Sequence, residues 1–185
     1  MNIQITIFFS FFFLVSELLL MLLKRSHKSE TKSQNDKKSL RIFWIVIPFS
    51  ITIGFFLADY QNWHNLQQTL AGIGLVIGLS GLVIRWLSIL QLKKDFTVDV
   101  AINSTHQLQT NLMYRYIRHP SYLGLLLIGL GLGIAMNSLW SFLIVFVSFY
   151  VAILYRIKVE ESILIEEFGK SYIDYIDKTK RLLFF

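Results

Sequence analysis

Arg118, His119 and Pro120 stand together in YRYIRHPSYLG, residues 114–124, directly before a long apolar run. Two arginines, a histidine and three tyrosines fall within that stretch. Proline suits the first turn of a helix, because its missing N–H would find no partner there. This places His119 at or just before a helix start. Unpaired N–H groups and the positive end of the helix dipole favour an anionic group at such a place. Tyr122 and Gly124 fall on the first turn, and Gly124 leaves room for something to approach the backbone. The plainer alternative is an ordinary membrane interface, with tyrosines in an aromatic belt and arginines at lipid phosphates.

A second polar group follows further along, in YRIKVEESILIEEFGKSYIDYIDKTKR. Arg156 and Glu160 are four residues apart and share a helix face. Glu161 is adjacent and is expected to point elsewhere. Between the two groups, Asn137 and Ser138 leave almost no loop, which predicts a tight antiparallel hairpin. The hairpin returns the end of its second helix to the start of its first. His119, Tyr122, Arg156 and Glu160 are then expected to line one pocket at the membrane surface. The alternative is a solvated helix end carrying a surface ion pair worth under about 1 kcal/mol.

The elements that must position these residues are apolar. Of 185 residues 54% are hydrophobic and 16% charged, against about a quarter charged in ordinary soluble domains. This composition points to an integral membrane protein. Five segments are long or apolar enough to be read as spans: Ile3 to Leu23, Ile42 to Ala58 with a kink expected at Pro48, Leu70 to Leu92, Pro120 to Met136, and Leu139 to Ile157. The first lacks the basic start and small-residue cleavage site of a secretory signal. The expected fold is all-α: a polytopic membrane helix bundle of about five transmembrane helices with a cytoplasmic cofactor pocket. Basic residues crowd the connector 24–41 (Lys24, Arg25, Lys28, Lys32, Lys37, Lys38, Arg41), the connector 93–119 (Lys93, Lys94, Arg115, Arg118) and the tail, whereas 59–69 has Asp59 and His64 but no lysine or arginine. Basic loops stay in the cytoplasm, so the amino terminus is expected outside and the carboxyl terminus inside. The net charge of +6 belongs to that asymmetry rather than to nucleic-acid binding. Without cysteine, disulfides, thiolate catalysis and cysteine–zinc sites are excluded.

Ala71, Gly74, Gly78 and Gly81 recur at helical spacing in the third segment. Such a stripe lets helices approach closely in lipid, where packing drives association. Gly129, Gly131 and Gly133 alternate in the fourth segment and cannot share one face. Close helix packing is the expected role of both sets. Glu17 lies inside the first span, where a carboxyl group is costly and needs a polar partner; the expected role is structural.

HxLxTxxxYRYIRHPSYLG, from His106 to Gly124, followed by RIKVEESILIEEFGKSYIDY at 156–175, resembles the isoprenylcysteine carboxyl methyltransferases. It is also similar to the wider group of integral membrane methyltransferases that includes phospholipid N-methyltransferases. The resemblance covers roughly residues 92–181. It divides the chain into an amino-terminal part, 1–91, of membrane helices and a basic loop, and a methyltransferase core, 92–185. It implies S-adenosylmethionine as methyl donor and an acceptor that enters from the lipid. The family's donor-binding residues map onto His106, Gln107, Leu108, Gln109, Tyr114, His119, Pro120, Ser121, Tyr122 and Glu160. Its arginine for recognition of the acceptor carboxylate and catalysis maps onto Arg156. Three positions depart from the pattern. Leu112 stands where a glycine usually precedes the tyrosine by two positions, and Asn111 is expected to supply the turn instead. Asp99 replaces a glutamine, and the end, RLLFF, lacks a proline.

The implied chemistry is displacement at a methyl carbon already activated by a sulfonium. No metal is needed, and a carboxylate acceptor, ionised at neutral pH, needs no general base. The protein must align donor and acceptor and exclude water; orientation alone lowers such barriers by about 7–11 kcal/mol. The expected acceptor is a lipophilic carboxylate, a small molecule or a prenylated cysteine as in isoprenylcysteine O-methylation. Phospholipid N-methylation stays open, as do small amphiphilic acids, an NADPH-binding reductase of related hairpin architecture and a non-catalytic membrane scaffold. Membrane lipid is an expected partner and nucleic acid is not. A prokaryotic inner membrane is the expected location.

Overall fold

The computed structural model describes residues 3–23, 34–60, 67–92 and 108–183. Six of the basic residues behind the orientation reading, Lys24, Arg25, Lys28, Lys32, Lys93 and Lys94, lie outside them, as do His64, Asp99, His106 and Gln107. Among the described residues six α-helices follow in order: α1 (Ile3–Leu23), α2 (Gln34–Tyr60), α3 (Gln67–Leu92), α4 (Pro120–Ala135), α5 (Leu139–Phe168) and α6 (Lys170–Lys178). A short 3₁₀ turn, Leu112–Arg115, precedes α4.

Four of these helices, α1, α2, α3 and α5, are long and apolar enough to cross a membrane. They carry the outward apolar surface expected of a chain solvated by lipid: Phe8, Phe11, Phe49, Phe56, Val76 and Leu90 are all exposed. This is an integral, multi-pass membrane protein. Two spans extend beyond the apolar runs visible in the sequence. α2 begins at Gln34, inside the basic connector, and runs without interruption through Pro48. α5 continues past Ile157 to Phe168.

The remaining apolar segment, α4, is different. At 16 residues it is about 24 Å long, short of the ~30 Å hydrocarbon core. None of its residues is exposed. α3 packs along one side and α5 along the other, so α4 is the bundle's internal axis, and its neighbours face the lipid.

Glycine makes that position possible. A Cβ on Gly124 would lie 2.6 Å from the Gly81 carbonyl oxygen, and one on Gly131 would lie 2.8 Å from the Gly78 Cα. These two residues therefore set the α3–α4 approach. Gly129 and Gly133 turn the other way, where a Cβ would meet Phe149 at 2.6 Å and Phe142 at 3.1 Å. The alternating glycines thus serve two opposite contacts. The space that Gly124 leaves is filled by the backbone of α3, at Gly81 and Arg85.

The hairpin is as tight as its sequence requires. Asn137 takes the left-handed conformation (φ 52) after α4, a geometry that asparagine tolerates. Ser138 caps α5 by accepting a hydrogen bond from the Ser141 N–H at 3.3 Å. At the other end of α5, Gly169 turns the chain with φ 53 into α6.

A buried ion pair pins α1 to this frame. Arg85 of α3 donates from Nε and Nη2 to the two Glu17 carboxylate oxygens, each at 2.5 Å. Its Nη1 donates to Ser121 on α4 at 2.8 Å. Glu17 is therefore structural, and its partner is the arginine inside the third span.

Gly124→Leu and Gly131→Val are expected to lower stability by at least about 1–3 kcal/mol, the range for overpacking. Gly72→Ala, where an added Cβ meets nothing within 4 Å, should be tolerated. Thermal unfolding in detergent checks the three variants together.

Candidate functional site

The chain from Leu112 to His119 enters α4 through a brace of backbone bonds. Arg118 N–H donates to the Lys180 carbonyl at 2.8 Å, His119 N–H to the Arg181 carbonyl at 3.3 Å, and Lys180 N–H to the Tyr116 carbonyl at 3.1 Å. The segment after α6 thus runs alongside the motif, with Ile117 and Lys180 paired in parallel. Arg118 Nη1 caps the end of α6, donating to the carbonyls of Ile176, at 3.0 Å, and Thr179. Leu182 anchors the strap in the core.

Glu161 is the centre of this region. Its Oε1 accepts from Arg118 Nε at 3.0 Å and lies 3.2 Å from His119 Nε2; its Oε2 accepts from Arg181 Nη2 at 2.7 Å. One buried carboxylate thereby joins α5, the start of α4 and the carboxyl-terminal strap. The expectation that Glu161 points away from the site is wrong. Adjacent helical residues do diverge, but α4's entry lies beside one face of α5 and the strap beside the next, so each of the two glutamates meets partners.

Glu160 meets Tyr122, whose hydroxyl donates to Oε2 at 2.7 Å. The His119 and Tyr122 rings are 5.7 Å apart. Arg156, one turn before Glu160, is buried and lies close enough to Tyr122 and Glu160 to interact with both. Its Nη1 also donates to Asp36 Oδ1 at 2.5 Å and to Ser39 Oγ at 2.6 Å, both on α2. The expected four residues do gather: Tyr122 touches Glu160, Arg156 adjoins both, and His119 is held beside them by Glu161.

The other expected donor-binding residues divide. Pro120 opens α4 and is buried. The Ser121 hydroxyl accepts from Arg85. Tyr114 is buried between helices: its hydroxyl donates to the Ser88 carbonyl on α3 at 3.3 Å, and its own carbonyl accepts from the Tyr175 hydroxyl at 2.5 Å. Burial pushes the Tyr114 phenol up and the Tyr175 phenol up to about 12, which keeps both as hydrogen-bond donors. Leu108 and Gln109 are half-buried ahead of the 3₁₀ turn. A groove of about 360 Å³ between α2 and α5, lined by Leu57, Trp140, Leu143, Ile144, Val147 and Ser148, is almost wholly apolar. It sits towards the opposite end of α5 from Glu160.

The turn before Tyr114 is not made by Asn111. Asn111 is extended (φ −99), and Leu112 itself takes the left-handed conformation at φ 56. The backbone keeps the geometry for which glycine is suited, and a 65%-exposed leucine bears the steric cost.

Known proteins share this sequence pattern and this fold. Residues 73–166 match the isoprenylcysteine carboxyl methyltransferase (ICMT) family. This chain belongs to that family. The protein-S-isoprenylcysteine O-methyltransferase of Tribolium castaneum is 32% identical over 136 residues, 71% of this chain and 48% of that one. Protein-S-isoprenylcysteine O-methyltransferase A of Arabidopsis thaliana is 28% identical over 174 residues, 90% of this chain and 84% of its own. The solved structure of the eukaryotic intramembrane Ras methyltransferase ICMT superposes with a TM-score of 0.65 at 27% identity, over 76% of this chain and 52% of that one. The chain thus spans about half the length of the Tribolium protein and of the solved ICMT. The ICMT match at 73–166 takes in α4, most of α3 and α5, and Glu160 and Glu161, but neither Glu17 nor Asp36.

Leu112→Gly is expected to raise stability by about 1 kcal/mol, since relief of left-handed strain of about 1–2 kcal/mol outweighs the added chain entropy; a thermal melt in detergent reads it. The Tyr175 phenol predicts a second effect. Its folded value, about 12 against the ordinary 10.0, means that its share of stability is full below pH 10 and is lost as pH rises to about 12. Tyr175→Phe should flatten the alkaline fall in stability over that window.

Proposed function

We propose that this ICMT-family chain transfers a methyl group from S-adenosylmethionine to a lipophilic carboxylate at the cytoplasmic membrane surface. The Tyr122–Glu160 hydrogen bond at 2.7 Å carries the reading, because it closes the two separated halves of the motif onto one place. The residues also fit the donor's functional groups. Glu160 accepts hydrogen bonds and suits ribose hydroxyls or an ammonium group. Buried donors with no hydrogen-bond partner among the described residues lie in the same region, at the Tyr172 hydroxyl and Arg181 Nε. His119, Pro120, Ser121 and Tyr122 form the first turn beside them, and Leu108 and Gln109, with His106 and Gln107, complete the proposed binding set. When bound, the donor supplies a methyl group on a sulfonium, activated for displacement without a metal.

Arg156 is the proposed contact for the acceptor carboxylate. Guanidinium geometry suits a carboxylate, and the residue already holds one, from Asp36. The acceptor's carboxylate shares or displaces that internal partner. A prenylated cysteine is the acceptor that the curated relatives' names suggest, and the lipid-facing setting supports a substrate that enters from the bilayer. A second reading draws on the same contact. The carboxylates of Asp36 and Glu160 lie beside Arg156 and suit an amine headgroup, as in phospholipid N-methylation. The proposed orientation places the carboxyl-terminal strap in the cytoplasm, in a prokaryotic inner membrane.

Radiolabelled methyl transfer into a farnesylcysteine analogue and into phosphatidylethanolamine separates these readings: base-labile label marks an ester and stable label an amine. Absence of S-adenosylmethionine binding by the wild-type protein would favour a scaffold. Arg156→Ala alone leaves Asp36 buried without its guanidinium, a change that typically costs about 3–5 kcal/mol. The paired change Asp36→Ala/Arg156→Ala is therefore expected to recover much of the thermal stability and donor binding while ester formation stays lost. Full turnover in the pair would refute the carboxylate role of Arg156.

A further inference from the structure

The 3₁₀ turn Leu112–Arg115 has two unlike sides. Tyr114 is buried and Met113 half-buried, whereas Arg115 is exposed, as are Leu112 at 65% and the following Tyr116 at 68%. Residues three apart eclipse in a 3₁₀ helix, so Leu112 and Arg115 share one edge of the turn. The Arg115 guanidinium lies 5.9 Å from the centre of the Tyr116 ring. Arg85, Arg118, Arg156 and Arg181 each hold a carboxylate, and Arg115 holds none among the described residues.

The depth of the turn follows from what it is fastened to. Met113 N–H donates to Gln91 Oε1 at 3.3 Å, and the Tyr114 hydroxyl donates to the Ser88 carbonyl. Both partners lie in the last turns of α3. The apolar stretch of that helix, Thr69–Leu92, has 24 residues. It is about 36 Å long, against a hydrocarbon core of ~30 Å, so its last turn reaches the headgroup boundary. Leu87 stands four residues before Gln91, on the same helix face, and is exposed. The outer edge of the 3₁₀ turn therefore continues an outward apolar stripe of α3. At that level a leucine meets acyl chains, a tyrosine has the place that aromatic residues favour, and an arginine reaches lipid phosphates. A soluble protein partner would need this edge to face water, and its attachment beside Leu87 favours the bilayer.

We propose that the turn Leu112–Arg115, with Tyr116, is embedded in the membrane interface at the carboxyl end of α3, and that Arg115 receives the phosphate of an anionic phospholipid there. The proposal does not depend on which donor or acceptor the site takes. It gives the approach to α4 a lipid contact on its outer side. On the inner side the Tyr116 carbonyl accepts from Lys180 N–H of the strap, so the lipid-held turn and the strap are joined.

The test uses the full chain in vesicles of phosphatidylcholine and phosphatidylglycerol. The chain has no cysteine, so Leu112→Cys and Tyr116→Cys each accept a single nitroxide. Val76→Cys, on the outward face of α3, and Asp174→Cys, exposed on α6, are the lipid and water references. Labels at 112 and 116 should be relaxed more by oxygen, which partitions into lipid, than by an aqueous nickel chelate, as at 76 and unlike 174. A pattern like that at 174 would overturn the membrane placement and leave the edge as a surface for a soluble partner. The second measurement needs no label: native mass spectrometry of the wild type and Arg115→Gln with added phosphatidylglycerol. The apparent affinity for the first lipid bound should fall about fivefold in the variant, the equivalent of about 1 kcal/mol for one basic residue at a charged leaflet. Equal affinity of the two proteins would overturn the phosphate contact of Arg115.

Discussion

The Glu161 carboxylate is the point on which the site depends. A carboxylate in so shielded a place is costly unless its lone pairs are taken by good donors. Here Arg118, His119 and Arg181 take them. Each of those partners comes from a segment with no regular structure of its own to fix it: the entry to α4 and the strap after α6. The electrostatic need of one side chain thus sets the position of two irregular stretches of backbone. Hydrogen bonds between those stretches, Arg118 to Lys180 and Lys180 to Tyr116, then make the arrangement rigid. His119 and the first turn of α4 are placed as a consequence, and Tyr122 comes within reach of Glu160.

That arrangement requires α4 to be held from both sides. Its glycines serve this in opposite directions, Gly124 and Gly131 towards α3, and Gly129 and Gly133 towards α5. Apolar attraction between helices gains little in lipid, so close backbone approach and specific polar contacts must supply the cohesion. Both are present. Arg85 links α1, α3 and α4 through Glu17 and Ser121, and Arg156 links α5 to α2 through Asp36 and Ser39. Charged groups inside the bundle act here as joints.

Much of this was legible in the residues. Apolar run length gave α1 its bounds, Ile3–Leu23, because a lipid-spanning helix has a strong one-dimensional signature. Asn137 and Ser138 announced the hairpin, and Pro120 the start of α4, because these are local stereochemical preferences. What escaped depended on pairing at a distance. Nothing near Glu17 in the sequence indicates Arg85, and nothing near Arg156 indicates Asp36. Glu161 was discounted on helical periodicity, which describes one helix and is blind to what packs around it. The extensions of α2 to Gln34 and of α5 to Phe168 were hidden because polar helix continues where hydropathy falls. Leu112 shows a further limit: asparagine's tolerance of left-handed geometry pointed to Asn111, whereas Leu112 itself takes that conformation.

The origin of the counter-ions has a bearing on how such chains diversify. The stretch that resembles its relatives, 73–166, holds the buried arginines Arg85 and Arg156, yet the carboxylates of their ion pairs, Glu17 and Asp36, come from α1 and α2 outside it, and only Arg156 has a further carboxylate, Glu160, within it. The recognisable segment is therefore not an autonomous folding module. Grafted onto foreign leading helices without acidic side chains at matching depths, it would lose the Glu17 partner of Arg85 and leave Arg156 with Glu160 but without Asp36. Lineages that exchange those leading helices must carry the charges across together, so sequence drift there is constrained at two positions even where it is otherwise unconstrained.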